Sequence, residues 1–331
     1  MKGDMQRVYI AYYKRIPFSR VKRDDPKFDV YYDIKGPMLY SMLLRRAVED
    51  LSNLGVRPEE IDRVITGCAL PAGDNWSMGG RIPIFFAKLP VSIPTISVDM
   101  QCASSLEAVK IGYMEIAMGY SEVVIAGGFE HMSRVPMGPQ NPYIIRHREL
   151  IEEEEYLRLY DMRIGYVMGL TAEKLAEVKK IAREEMDRWA LRSHKLAAKA
   201  YEEGYFKDEL MPVEVVRDGN KIFIDRDLSV RPDTSLEVLS KLPPVFKENG
   251  VITAGNSYPP DSAYLGSRDY RFHSYIAVPG FIAQYQCGGR VVFVSRPDYE
   301  GYRVFPRQEM DFSSLRPDLY KSPKELREIC K

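Results

Sequence analysis

Pro94-Thr95-Ile96-Ser97-Val98-Asp99-Met100-Gln101-Cys102-Ala103-Ser104-Ser105-Leu106 joins two textures of sequence in thirteen residues. Its first five positions form a short apolar run suited to a buried strand. From Ser104 to Met118 apolar residues recur at helical spacing, which predicts a helix with Leu106, Val109, Tyr113 and Ile116 on one face. Between the two, a sharp turn carries a cysteine followed by small residues. A strand that hands a side chain to the start of a helix is one step of a βαβ chain, and the fold class depends on whether the flanking sequence repeats that step.

It does, on both sides. Val8-Tyr9-Ile10-Ala11 is a short strand, and Leu39 to Leu54 is a helix closed by Gly55. Asp62 to Gly67 reads as a strand and Gly80 to Lys88 as a helix. Glu122-Val123-Val124-Ile125-Ala126-Gly127-Gly128 has the β-branched density of a central parallel strand. Residues 1–128 therefore predict an α/β half with helices on both faces of its sheet. From 129 to 245 the texture turns charged and reads as a loop-rich insertion rather than more sheet. It holds one long amphipathic helix, Arg183 to Gly204, with Glu184 and Glu185 in its first turn. The acidic run Glu152 to Glu155 reads as a solvated face. A return strand is expected within 246–257, near Ile252. Beyond Asn256 a third texture begins, crowded with Tyr, Phe, Arg and Pro. There Arg290-Val291-Val292-Phe293-Val294 is the clear strand candidate, and Ser322 to Cys330 fits one short helix after Pro323.

Lys+Arg and Asp+Glu number 47 each, and the chain is 45% hydrophobic over 331 residues. Balanced charge argues against a general nucleic-acid or membrane-surface binder. No run approaches the roughly 18 apolar residues of a membrane span, and the N-terminus has no apolar signal region. The four cysteines, Cys68, Cys102, Cys287 and Cys330, are far apart and form no C-x-x-C pair, against zinc or disulfide frameworks. A cytoplasmic protein is the expectation.

Cys102 is the residue on which chemistry is expected. At a helix N-terminus, unpaired backbone N–H groups and the helix dipole favour the thiolate, which is the nucleophilic form. Ala103 and Ser104 are small enough to let a carbonyl approach the backbone. A buried structural cysteine is the alternative reading of the same residue.

The segment resembles the active-site signature of the thiolase family, in which a Cys and small residues open a long helix. Further likenesses follow in order along residues 7 to 257. Arg15-Ile16-Pro17-Phe18 is similar to the family's Arg-Thr-Pro-Phe. Ala126 to Ser133 is similar to its Ala-Gly-Gly-x-Glu-x-Met-Ser, and Met168 to Glu173 to its Met-Gly-x-Thr-Ala-Glu. Arg231 to Glu237 is similar to a segment that touches coenzyme A, and Thr253-Ala254-Gly255-Asn256 matches another family motif. The nearest group is the archaeal-type acetyl-CoA acetyltransferases. The resemblance implies a thiolase-like N-terminal half of βαβαβαββ order with a mixed sheet, domains at 1–128, 129–245 and 246–257, and a divergent tail at 258–331. It implies Cys102 as the acyl-accepting nucleophile and Met168, Arg231, Leu242, Ala254 and Ser257 as coenzyme A or substrate contacts. It further implies a coenzyme A thioester as substrate with no resident cofactor, a place in lipid metabolism, and a homodimer or tetramer without nucleic-acid or membrane partners.

Departures accompany the likeness. Asp99 stands where the family has Asn, Val167 where a His is common, and Tyr258 where many members place a Ser. Thiolases are duplicated folds whose second half brings an Asn- or His-Glu-Ala-Phe, a Gly-His-Pro and a Cys-x-Gly-Gly-Gly motif. His131, His147, His194 and His273 lie in none of these contexts and read as surface or packing residues. Gln286-Cys287-Gly288-Gly289-Arg290 is a faint echo of the second-cysteine motif, one glycine short; a chance Cys in a turn is its alternative. Three readings follow: a thiolase-type acyltransferase, a truncated thiolase-like binding module, or a tail read in a shifted frame. A separate chain could supply the missing half. A dehydrogenase is disfavoured because no G-x-G-x-x-G follows the first strand.

Overall fold

The computed structural model describes residues 8–22, 25–136, 141, 143, 147–257 and the backbone of 290–295. The expected alternation is present: β1 Tyr9–Arg15, α1 Gly36–Ser52, β2 Arg63–Gly67, α2 Arg81–Ala87, β3 Thr95–Val98, α3 Ser104–Ala117 and β4 Val124–Gly128. The insertion adds α4 Glu149–Glu152, α5 Glu154–Leu159, α6 Met162–Gly165, α7 Met168–Val178 and α8 Arg183–Glu202. It also holds the hairpin β5 Val213–Arg217 with β6 Asn220–Ile224, and α9 Leu236–Ser240. The expected strand in the tail is β7, Arg290–Ser295.

These strands form a five-stranded sheet in the order β1-β7-β4-β2-β3. β2 pairs in parallel with β3 and with β4, whereas β7 lies between β1 and β4 and is antiparallel to both. The mixed α/β class and the helices on both faces agree with the sequence reading. Alternation along the strands decides which face receives which helix. Val64, Cys68, Val123 and Ile125 pack with Tyr40, Leu43, Leu44, Ala47 and Leu51 of α1 and with Ile84 of α2. Ile65, Val124 and Ala126 turn the other way, onto Ala108, Val109 and Ile116 of α3.

Three expectations need correction. In α3, Val109 and Ile116 are buried, but Leu106 and Tyr113 are exposed at 43% and 48%. The helix meets the sheet along its small residues, Ser104, Ala108 and Gly112. A Cβ on Gly112 would stand 3.0 Å from Val124 Cγ1, so close backbone approach decides the buried face. The return strand expected within 246–257 does not form; Thr253 makes one isolated bridge to Pro244, and β7 takes the place beside β4. The reason is a contact from a distant segment: the backbone N–H groups of Val251 and Ile252 donate to the Glu173 carboxylate at 2.8–3.0 Å rather than to a neighbouring strand. Finally, the insertion is not free of sheet. β5 and β6 pair around Asp218 and Gly219, both at positive φ (51° and 76°), as a tight two-residue turn requires. Val213, Val215 and Ile224 of this hairpin bury themselves against Ile16, Tyr31 and Leu39.

Candidate active site

The carboxyl ends of β2, β3 and β4 stay in register to their last residues. The Cys68 N–H donates to the Val98 carbonyl at 3.0 Å, and the Phe129 N–H to the Gly67 carbonyl at 3.1 Å. This edge is where α/β sheets hold ligands. The chain leaving β3 passes through Asp99 and Met100 and turns at Gln101, whose φ of 47° lies in the left-handed region. Side chains hold that turn. Asp99 Oδ1 accepts the Gln101 N–H at 2.9 Å, and Ser104 Oγ accepts the Met100 N–H at 2.9 Å while donating to the Gln101 carbonyl at 2.5 Å. Cys102 follows, half-buried, one residue before the helix cap Ala103. The thiol thus heads a 14-residue helix whose first-turn N–H groups lack intrahelical acceptors.

Two glycines seat that helix on the sheet. A Cβ on Gly67 would lie 2.4 Å from the Ser105 nitrogen, and one on Gly128 would lie 2.2 Å from Ser105 Oγ. A side chain at position 67 would meet α3 backbone and push its N-terminus off the strand ends, whereas one at position 128 would meet the Gly67 carbonyl of β2, also at 2.2 Å, and only a side-chain oxygen of α3.

A second cysteine lies in the same region with the opposite chemistry. Cys68 is buried, its Sγ 3.7 Å from Glu130 Oε2, and burial together with that carboxylate pushes its thiol pKa up. Glu130 accepts the Ala69 N–H at 2.8 Å, the Leu70 N–H at 3.4 Å and Asn75 Nδ2 at 2.7 Å. Burial raises its carboxyl to about 7 although these donors oppose the shift. Glu130 falls within the Ala126–Ser133 motif, and its burial is a property that spacing does not reveal.

His131 lies on the same segment but is closed to solvent. Its Nε2 is 3.1 Å from the Tyr31 carbonyl and its Nδ1 is 3.0 Å from Ser133 Oγ, which donates to Asp29 Oδ2 at 2.5 Å. Burial lowers its pKa, and the ring is fully enclosed. His194 Nδ1 accepts the Arg231 N–H at 3.2 Å, and His147 is exposed. His273 and Cys287 lie outside the described residues. Among the described residues no group of three or more His, Cys, Asp or Glu could hold a metal ion, and no helix is long and apolar enough to cross a membrane.

The other sequence candidates gather around α7, α8 and α9. Met168 is the first residue of α7, whose Glu173 holds residues 251 and 252. Ala254 is exposed and Ser257 Oγ donates to the Thr253 carbonyl. A Cβ on Gly255 would stand 2.5 Å from Leu242 Cδ1, so Leu242 and the 253–257 turn are in direct contact. Arg231 joins this group through His194 of α8. Cys102 is placed by a different part of the fold, the β3–α3 junction. Arg183 and Asp187 of α8, which link Leu242 to Asn256, escaped the sequence reading; their i,i+4 spacing was the available signal.

The model of the thiolase N-terminal domain matches residues 27–260. A probable acetyl-CoA acyltransferase of Staphylococcus aureus (strain COL) is 35% identical over 260 residues, covering 76% of this chain and 63% of the relative. Human mitochondrial 3-ketoacyl-CoA thiolase superposes with a TM-score of 0.66 at 28% identity, covering 89% of this chain and 67% of that one. Its complex with CoA gives 0.64, with 88% and 65% covered. Bacillus anthracis acetyl-CoA acetyltransferase gives 0.62 at 27% identity, with 89% and 66% covered. This chain thus spans 63% of the length of the Staphylococcus aureus relative. The matched domain covers more than half of this chain, and the chain belongs to the thiolase family, of which it carries the N-terminal half.

Proposed function

We propose that this protein is an acyltransferase acting on coenzyme A thioesters, with Cys102 as the acyl-accepting nucleophile. The observation that carries the reading is the position of Cys102: half-buried, at the carboxyl edge of a parallel strand set, and directly ahead of the α3 N-terminus. The positive end of the helix favours a thiolate there. In the first step the Cys102 thiolate attacks the thioester carbonyl carbon. The carbonyl oxygen takes up negative charge beside the first-turn N–H groups of α3. As the tetrahedral species collapses, the C–S bond to coenzyme A breaks, the coenzyme A thiolate leaves, and the acyl group remains on Cys102. In the second step the α-carbon of another thioester attacks the acyl-cysteine, a C–C bond forms and Cys102 departs as thiolate; attack by coenzyme A instead returns the starting thioester. Carbon attack requires a base for the α-proton. His131 is unsuited to that duty because it is closed to solvent.

The remaining assignments belong to the same reading. Met168, Arg231, Leu242, Ala254 and Ser257 would contact the coenzyme A moiety, and no cofactor would be resident. The protein would work in lipid metabolism in the cytoplasm, as a homodimer or tetramer. The complex of the human thiolase with CoA supports coenzyme A as the ligand class.

Rapid-quench mass spectrometry after mixing with acetyl-CoA tests the first step. The expected result is one acetyl group mapped to the Cys102 peptide, absent in Cys102→Ala. Acetylation at another residue, or none together with no release of free coenzyme A thiol, would defeat the reading.

A further inference from the structure

Asp187 is 2% exposed, and its carboxylate joins two segments distant in sequence. Its Oδ2 accepts Arg183 Nε at 2.8 Å, and its Oδ1 accepts Asn256 Nδ2 at 3.0 Å. Arg183 carries the link onward: Nη2 donates to the Leu239 carbonyl at 2.6 Å and to the Leu242 carbonyl at 3.1 Å. Leu239 lies in the last turn of α9 and Leu242 two residues past its end, so one guanidinium ties the helix to the chain that leaves it. Asn256 carries the link in the other direction. Its Oδ1 accepts the Thr253 N–H at 2.8 Å, and Nδ2 also donates to the Val251 carbonyl at 2.9 Å. One amide therefore holds the turn from 251 to 256, and Thr253 and Asn256 are fully buried.

The pair runs in the less favourable order for a helix. In an i,i+4 pair the acid belongs on the N-terminal side, and here Arg183 precedes Asp187. Its gain is tertiary. Leu242 reaches the site from one segment, Ala254 and Ser257 from another, and Gly255 lets the two touch.

We infer that Asp187 is a positioning residue for coenzyme A binding: through Arg183 and Asn256 it fixes residues 239–242 against residues 251–257. This rests on the proposed assignment of Leu242, Ala254 and Ser257 to coenzyme A. Asp187 itself is buried and contacts no ligand. Its loss should weaken coenzyme A binding while the Cys102 turn, built by β3 and α3, keeps its reactivity.

The test compares Asp187→Asn and Arg183→Lys with the unmodified full chain. Asn keeps the side-chain shape and removes the charge that Arg183 answers; Lys keeps the charge and cannot span Asp187 and both carbonyls. Two quantities are measured: the dissociation constant for coenzyme A by calorimetry, and the rate of iodoacetamide capture by Cys102. The expected result is an affinity loss of about tenfold or more in each variant with the capture rate unchanged. Affinity within about twofold of the unmodified chain in a folded variant overturns the inference. A parallel fall in both quantities, or failure of both variants to fold, assigns the network to general stability and also overturns it. If the unmodified chain does not bind coenzyme A, the functional reading itself fails, an outcome distinct from the others.

Discussion

Gly67 lies directly beneath Ser105: a Cβ on the glycine would stand 2.4 Å from the Ser105 nitrogen. Both partners there are backbone, so nothing flexible can yield. Gly67→Ala must displace either β2 or the α3 N-terminus. We expect a loss of about 1–3 kcal/mol in denaturant titration, typical of overpacking. We also expect slower alkylation of Cys102, because the turn moves with the helix. Gly112→Ala is the control: its Cβ would meet the Val124 side chain at 3.0 Å, farther along the same helix. Similar destabilisation with normal Cys102 reactivity in that variant would attribute the Gly67 effect to the turn. Equal loss of reactivity in both would reject that view.

The two described cysteines should separate cleanly under iodoacetamide at neutral pH. Burial and the Glu130 carboxylate hold the Cys68 thiol protonated, whereas Cys102 is half-buried ahead of a helix. Cys102 should react first, as peptide mapping would show. Asp99 sharpens this. Its Oδ1 accepts the Gln101 N–H, a role Asn can fill, but its negative charge sits three residues from the thiol and disfavours the thiolate. Asp99→Asn removes that charge while keeping the acceptor, and should raise the Cys102 alkylation rate at pH 7 about threefold. A slower rate would mean that Asp99 holds the turn in a way Asn cannot.

Glu130 makes stability depend on pH. Its carboxyl is raised from an ordinary 4.5 to about 7, chiefly by burial. The folded chain therefore binds this proton more tightly than the unfolded chain, and stability falls as pH rises from about 4.5 to 7. The full effect is on the order of 3 kcal/mol. Glu130→Gln should remove that slope from the difference between variant and parent across this window, while costing some stability overall because an amide cannot accept from all of the same donors. If the variant and parent curves run parallel from pH 4.5 to 7, Glu130 is ionised throughout and the donors outweigh burial.

Much of the sheet was legible because the βαβ signals are local: each strand is a short apolar run bounded by turn residues. The Cys102 turn was legible for the same reason. What escaped depended on contacts between distant segments. Leu106 and Tyr113 share a helical spacing with Val109 and Ile116, and spacing alone cannot say that Ala108 and Gly112 decide which stripe meets the sheet. Residues 246–257 read as a strand because Val251 and Ile252 are β-branched. Their backbone donors go to Glu173, nearly eighty residues away in sequence. The hairpin at 213–224 carried a legible Asp218-Gly219 signal within a charged region that read as loop. Asp187 lies on an amphipathic helix, and spacing alone does not reveal that it is buried.

Arg15 should prove one of the costlier single positions in the chain. It is 3% exposed, with Nη1 and Nη2 on Asp227 at 2.6 and 2.9 Å and Nε on Glu209 at 2.6 Å. Phe18 and Phe206 lie against its guanidinium. Burial opposes the charge, and Asp227 and Glu209 outweigh it, holding the guanidinium pKa above its ordinary value. Arg15→Leu leaves both carboxylates without their cation, and such a break costs about 3–5 kcal/mol. Adding Glu209→Gln and Asp227→Asn should recover part of that loss. If the triple variant is no more stable than Arg15→Leu, packing of the guanidinium on the two rings outweighs its charge.

The last prediction concerns the outer face of α3. Leu106, Tyr113, Met114 and Met118 are 43%, 48%, 44% and 65% exposed, and Met100, at 53%, precedes Cys102 by two residues. Exposed apolar residues are ordinary when scattered, but here they follow one helix beside the proposed nucleophile. The homo-oligomer reading assigns that stripe to a contact between copies. Light scattering at micromolar concentration should then report a mass above the monomer. Leu106→Glu with Tyr113→Glu should return the chain to the monomer without lowering its melting temperature, since neither side chain supports the sheet. A monomeric parent would remove the oligomer reading outright. An associated parent unaffected by the two substitutions would transfer the contact to another face, and the exposure of the α3 stripe would then need a different partner.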